Sequence, residues 1–154
     1  MERREFLKRS FLVAGSLALL PLVGIGKAHA AASGEEVKFK TAYDAIVGGK
    51  PVTEGKIAIE APDTADNGLS VPLAITVDHP MDEDNYIKAI HILTEKNKNT
   101  NVATVHLTPM SGEAFYDTRI KLGGTQDVIV IAESSKGTLF VGKKHIKTLT
   151  SGCG

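Results

Sequence analysis

The chain has 154 residues, with 18 Lys+Arg balanced by 18 Asp+Glu, 5% aromatic residues and one cysteine. That balance lacks the basic, aromatic-laced stretches of a nucleic-acid binder, and one cysteine excludes an internal disulfide framework. The length suits a single domain with one hydrophobic core behind a short leader.

The leader reads MERREFLKRSFLVAGSLALLPLVGIGKAHAAAS. Arg3-Arg4 followed by Glu5-Phe6-Leu7-Lys8 matches the twin-arginine pattern of bacterial export. An apolar run over residues 11–25 leads to Lys27 and the small-residue site Ala28-His29-Ala30. That order reads as a cleaved signal. The alternative is an uncleaved anchor, against which Pro21 and the glycines at 15, 24 and 26 argue. The expectation is a signal peptide over residues 1–30 and a mature periplasmic protein from near Ala31, off the membrane once cleaved. Without residues 1–30 the chain keeps 13 Lys+Arg and 16 Asp+Glu, a net charge of −3.

One helix is expected next, over EEVKFKTAYDAIVGGK, where Val37, Tyr43, Ala45, Ile46 and Val47 do not all share one face. Gly48-Gly49 supplies its stop, and Lys50-Pro51 breaks the chain. Seven strand-like runs follow. GKIAIEAP turns Ile57 and Ile59 one way, and GLSVPLAITVDHP puts Val71, Leu73, Ile75 and Val77 on one face. NYIKAIHILTE separates Ile90 and Ile92 from Ile87, Ala89, His91 and Leu93. NVATVHLTP, EAFYDTRIKLG, TQDVIVIAES and GTLFVGKKHIKT continue the period of two. Turn signals at Asn67-Gly68, Ser111-Gly112, Gly123-Gly124 and Lys136-Gly137 separate them. This grammar predicts an all-β, immunoglobulin-like antiparallel β-sandwich of about seven strands over residues 31–147, with a short N-terminal helix. A flexible C-terminal arm follows over residues 148–154.

Few residues offer chemistry. His79, His91, His106 and His145 lack metal-motif spacing, and no second cysteine completes a thiolate site. Asp82, Glu83 and Asp84 lack the one-residue separation and glycine of a calcium loop, and read as a solvated acidic turn. Nucleophile-elbow, phosphate-loop and dinucleotide signatures are missing. No metal, cofactor or catalytic residue is expected.

Cys153 remains, in the closing stretch TLTSGCG. An unpaired thiol in an oxidising compartment is a liability unless used. Ser151, Gly152 and Gly154 around it are small, so the segment is thin and flexible. If strand order ends near Lys147, six residues to Cys153 span about 20 Å. Such an arm fits a narrow channel in another protein. A nearby terminal carboxylate disfavours the thiolate, leaving activation to whatever receives it.

The twin-arginine signal, the all-β domain and the Gly-Cys-Gly tail together resemble the SoxY family, the sulfur-carrier subunit of the bacterial thiosulfate-oxidising (Sox) system. VPLAITVDHPM, YIKAIHIL, NVATVHLTPMSG and TRIKLGGTQDVIVIAE resemble that family's strands. The resemblance implies a carrier that is not itself an enzyme, with Cys153 as the covalent attachment residue flanked by Gly152 and Gly154. It implies a heterodimer with a second small β-protein, a SoxZ-like subunit. It also implies a c-type cytochrome that loads thiosulfate as a cysteine S-thiosulfonate, a hydrolase that releases sulfate and, in some organisms, a sulfane dehydrogenase. Two departures stand out: Ser151 replaces the first glycine of the usual Gly-Gly-Cys-Gly-Gly tail, and Asn97-Lys98 stands where Asn-Pro is common. A β-sandwich assembly or adhesion module with an incidental thiol is the alternative. Copper delivery by Cys153 with His145 is a weaker one, short of soft ligands.

Overall fold

A computed structural model describes residues 34–151. The expected signal over residues 1–30 and the arm positions Gly152, Cys153 and Gly154 lie outside the described residues.

Helix α1 (Gly34–Val47) forms where expected, with Glu35 and Glu36 favourably placed in its first turn. Phe39, Ala42, Tyr43 and Ile46 recur at three- and four-residue spacing and make one apolar face that ends on buried Val47. Val37 and Ala45 lie off that face, exposed, which is why a list including them looks scattered. The helix stops at Gly48 and Gly49, whose φ of 59° and 74° few side chains tolerate.

Nine strands follow among the described residues. In chain order they are β1 (Val52–Glu54), β2 (Ile57–Glu60), β3 (Thr64–Asn67), β4 (Val71–Val77) and β5 (Ile87–Thr94). β6 (Asn101–His106), β7 (Phe115–Ile120), β8 (Gln126–Ser134) and β9 (Leu139–Thr150) complete the domain. The larger sheet runs β1-β9-β8-β5-β6 with β3 also on β9, and the smaller runs β2-β4-β7. The two sheets make the expected immunoglobulin-like sandwich, corrected in two respects. There are nine strands, and two pairings are parallel: β1 and β3 both run alongside β9.

The extra strands are one edge segment changing sheets. The chain pairs with β9 as β1 and turns away at Gly55, whose φ is 85°. It joins β4 antiparallel as β2, then returns to β9 as β3. While crossing, Ile57 and Ile59 lie directly over Gly142 of β9. A Cβ there would stand 2.9 Å from the Ile57 Cβ, so only glycine fits beneath the crossover.

Between the sheets, Val71, Leu73, Ile75 and Val77 of β4 meet Ile87, Ile90 and Ile92 of β5 and Val128, Val130 and Ala132 of β8. The alternation expected in β4 holds. In β5 it does not. The pairing with β8 shifts register between Ile87 and Ala89, so Ile87 joins Ile90 and Ile92 in the core. Ile129 and Ile131 of β8, with Leu93 and Leu139, face outward and are sealed by α1. Burial on both faces explains the unbroken apolar run of β8.

Gly142→Ala is expected to destabilise the domain by about 1–3 kcal/mol through overpacking under Ile57. Urea unfolding checks this as a lower midpoint at unchanged slope. An unchanged midpoint would show that the crossover yields freely.

Candidate functional site

The candidate arm leaves the sandwich where β9 finishes. Expected order ended near Lys147, but β9 continues to Thr150, so the arm begins at Ser151. The reason is a supply of partners on both sides of residues 148–150. From one side β3 pairs Ala65 with Thr148 and Asn67 with Thr150. Gly68 donates its N–H to the Thr150 carbonyl at 2.9 Å, and the Thr150 hydroxyl donates to the Asp66 carbonyl at 2.7 Å. From the other side the Thr125 hydroxyl accepts the Thr148 N–H at 3.1 Å. Ser151 is exposed and lies over Gly124. Cys153 is two residues further, so its Cα stands within about 7 Å of that of Ser151.

Beside this root, a buried amide network fixes the two neighbouring loops. Asn97 is 4% exposed and Gln126 is 1% exposed. Asn97 Oδ1 accepts from Gly123 N–H and from Gln126 Nε2, both at 2.8 Å, while its Nδ2 donates to the Lys121 carbonyl at 2.7 Å. Gln126 Oε1 accepts the Lys96 N–H at 2.7 Å. The loop between β5 and β6 is thereby bolted to the turn between β7 and β8. Residue 97 is the asparagine of the Asn-Pro position, and these bonds need its amide whatever follows it. Reading the sequence alone passes over Asn97, Thr125 and Gln126, since polar residues beside glycines look like ordinary turn.

The histidines and acids of the sequence reading lie apart from the root. His145 Nδ1 is 2.5 Å from Asp127 Oδ1, and Lys143 Nζ is 2.5 Å from the other oxygen. Burial opposes ionisation of Asp127, but the hydrogen bonds from Lys143 and His145 outweigh it and hold the carboxyl below its ordinary range. His145 is six residues before Ser151 along an extended strand, about 20 Å. His91 bonds Thr104 at 3.1 Å on the outer face of the large sheet, and burial lowers its pKa. His79 packs against Phe140, and Asp82 bridges Asn85, both at the opposite end of the sandwich. Among the described residues no group of three or more His, Cys, Asp or Glu side chains is placed to hold a metal ion.

The model of the family described as "Sulfur oxidation protein SoxY" matches residues 43–153, which takes in most of the domain, the strand β9 and Cys153. The chain belongs to the SoxY family. Among solved structures it is similar to the sulfur carrier protein SoxY from Chlorobium limicola f. thiosulfatophilum, at 25% identity and a TM-score of 0.61, over 74% of this chain and 98% of that one. Superoxide reductases share the fold. One is a variant of the neelaredoxin from Ignicoccus hospitalis, at 18% identity and TM-score 0.55, over 71% of this chain and 86% of that one. Another is a putative superoxide reductase from Thermotoga maritima, also at 18% and 0.55, over 64% and 95%. At such identities the likeness is one of fold. No curated protein matches by sequence. Within the SoxY family match, the feature common to fold and tail is a long last strand that delivers a small-residue segment to one end of the sandwich.

Asn97→Ala is expected to cost about 1–3 kcal/mol, because Gln126 and the Gly123 N–H lose a buried acceptor. Hydrogen exchange should quicken at Gly123 and Lys96 before it does in β4. Uniform quickening throughout the domain would show that the network has no local role.

Proposed function

We propose that the mature chain is a covalent carrier of inorganic sulfur intermediates in thiosulfate oxidation, with Cys153 as the attachment residue. The observation that carries this reading is the SoxY family match running through residue 153, the only cysteine in the chain. The clamp on residues 148–150 supports it, since it presents a short, small-residue arm from a fixed point. Ser151, Gly152 and Gly154 keep that arm narrow.

The chemistry asks the chain for a sulfur and for placement. The Cys153 thiol and thiosulfate combine to Cys–S–S–SO3⁻, releasing one proton and two electrons, which a c-type cytochrome accepts. Water added by a separate hydrolase releases sulfate and leaves Cys–S–SH. Where a sulfane dehydrogenase is present, it oxidises the remaining sulfur. The carrier itself is not an enzyme in this scheme. It works in the periplasm after twin-arginine export, as a heterodimer with a second small β-protein of the SoxZ kind.

Cys153→Ser is expected to abolish thiosulfate-dependent sulfate production and every sulfur adduct seen by intact mass of protein from cells grown on thiosulfate. Its stability should stay within about 0.5 kcal/mol of the parent, since residue 153 lies beyond the last strand. Parental rates of sulfate production in that strain would sink the carrier reading. A melting midpoint many degrees lower would make the thiol structural instead.

Gly152→Val should leave the fold unchanged but slow enzymatic loading, because a β-branched side chain widens and stiffens the arm beside the sulfur. Alkylation of Cys153 by a small reagent serves as the comparison. Loading that is unchanged rules out the narrow-channel requirement, and equal slowing of both places the defect in the thiol itself.

A further inference from the structure

The cations of the described domain are distributed unevenly. Lys40, Lys50, Lys56, Lys88, Lys143 and Lys144 each pair with a carboxylate. Lys96, Lys98, Arg119, Lys121 and Lys147 form no ion pair among the described residues. Register places all five at the end where the arm leaves. β7 reaches Ile120 opposite Val71, β5 closes at Thr94 opposite Val128, and β3 brings Asn67 beside Thr150. Lys38 on α1 and Lys136 in the turn between β8 and β9 are likewise without an ion pair, but each stands singly. Unpaired acids Asp82, Glu83, Asp84 and Glu113 occupy the loops of the opposite end. Glu35, Glu36 and Glu95 share a pocket with Lys96, and Asp66 lies beside Thr150, so the cations away from carboxylates at this end are those around Arg119 and Lys121.

At the arm end, a cleft of about 420 Å³ opens between the start of β6 and the end of β7. Arg119 near the end of β7 and Lys121 just beyond it line one wall, and Asn99 just before β6 and Asn101 at its start line the other. All four are exposed. Asn97 forms the buried support, its amide already committed to the two loops. A guanidinium fork, an ammonium and two carboxamide N–H₂ groups line it without an ion pair. Arg119 also donates to the Ser70 hydroxyl at 3.5 Å and Asn101 Nδ2 to that of Thr104 at 3.4 Å, long bonds that leave further N–H groups to each. Such a set matches a small tetrahedral oxyanion better than a planar or neutral ligand.

We propose that this cleft binds a divalent inorganic oxyanion of the sulfate and thiosulfate class, free or as the sulfonate end of the loaded arm. The idea rests on the carrier reading for the identity of the anion. Its geometry is independent of that reading. Lys121 is three residues from Gly124, at most about 11 Å along the chain, and Ser151 lies over Gly124. The arm therefore leaves from over the turn that joins Lys121 to β8, which makes the tethered sulfonate a candidate occupant. Holding the sulfonate there keeps the charged end of the cargo paired between visits to processing enzymes.

The test uses the mature Cys153→Ser protein, so that no covalent step intervenes. It is titrated with sodium thiosulfate at constant ionic strength and followed by ¹⁵N NMR, with sodium chloride as the control. Saturable shifts are expected at the side-chain amides of Asn99 and Asn101 and the backbone of residues 119–121. Arg119→Gln combined with Lys121→Gln should weaken them at least tenfold, the spectrum itself reporting that the variant is folded. Shifts reproduced by chloride, absent from the cleft, or indifferent to the double substitution overturn the proposal. A second arm uses the parent protein with S-thiosulfonate at Cys153, verified by intact mass. Shifts at the same amides without added thiosulfate assign the tethered group as the occupant, and shifts with free thiosulfate alone assign the free ion. Failure of the carrier reading appears elsewhere, as a missing adduct in cells, and leaves the titration readable.

Discussion

The twelve-residue strand β9 is hydrogen-bonded along both of its edges, and the rest of the molecule is arranged around that fact. On one edge β8 pairs with it from Gln126 to Glu133; on the other, β1 and β3 take its beginning and its end. A last strand at the margin of a sheet would fray toward its terminus. Here the final residues are tied to two separate turns, and the arm inherits a fixed origin. The glycine at 142 is the concession that allows this, since β2 must pass above β9 for the same segment to reach both ends of it.

Charge is arranged with similar economy. Most cations on the flanks of the sandwich are paired, while Lys98, Arg119 and Lys121 at the arm end are left open. Exposed pairs contribute little to stability, so leaving these cations unpaired costs the fold little. It leaves a field at the cleft. A sulfur carrier gains more from being oriented toward what it meets than from another surface ion pair.

Much of this was legible in the sequence, and the exceptions have causes. β4 alternates without interruption because one face is core and the other is not. β5 looks equally regular, yet its bulge moves Ile87 across, and no period-two count registers one extra residue. β1 and β3 are too short and polar to announce themselves, and their pairing depends on β9, some 80 residues later. The helix face through Phe39, Ala42, Tyr43 and Ile46 was present in the spacing but diluted by Val37 and Ala45. Cys153 stood out by its isolation. The cleft did not, because Asn99, Asn101, Arg119 and Lys121 are scattered polar residues until β6 and β7 are set side by side.

The position of the last ladder bond has a further consequence. Because β9 runs to Thr150, only three residues of chain, about 10 Å, lead from the last strand residue to Cys153, half the length that an end at Lys147 would leave. Confinement is concentration: a group on so short a tether meets its neighbouring surface at an effective concentration of at least the millimolar order. A weak, millimolar contact with a free anion thereby becomes a well-occupied one for a tethered anion, with no tight binding to undo when a processing enzyme arrives. If Cys153 carries the cargo, the same shortness brings an enzyme that processes it up to the sandwich, so recognition of the domain and admission of the cargo become a single event.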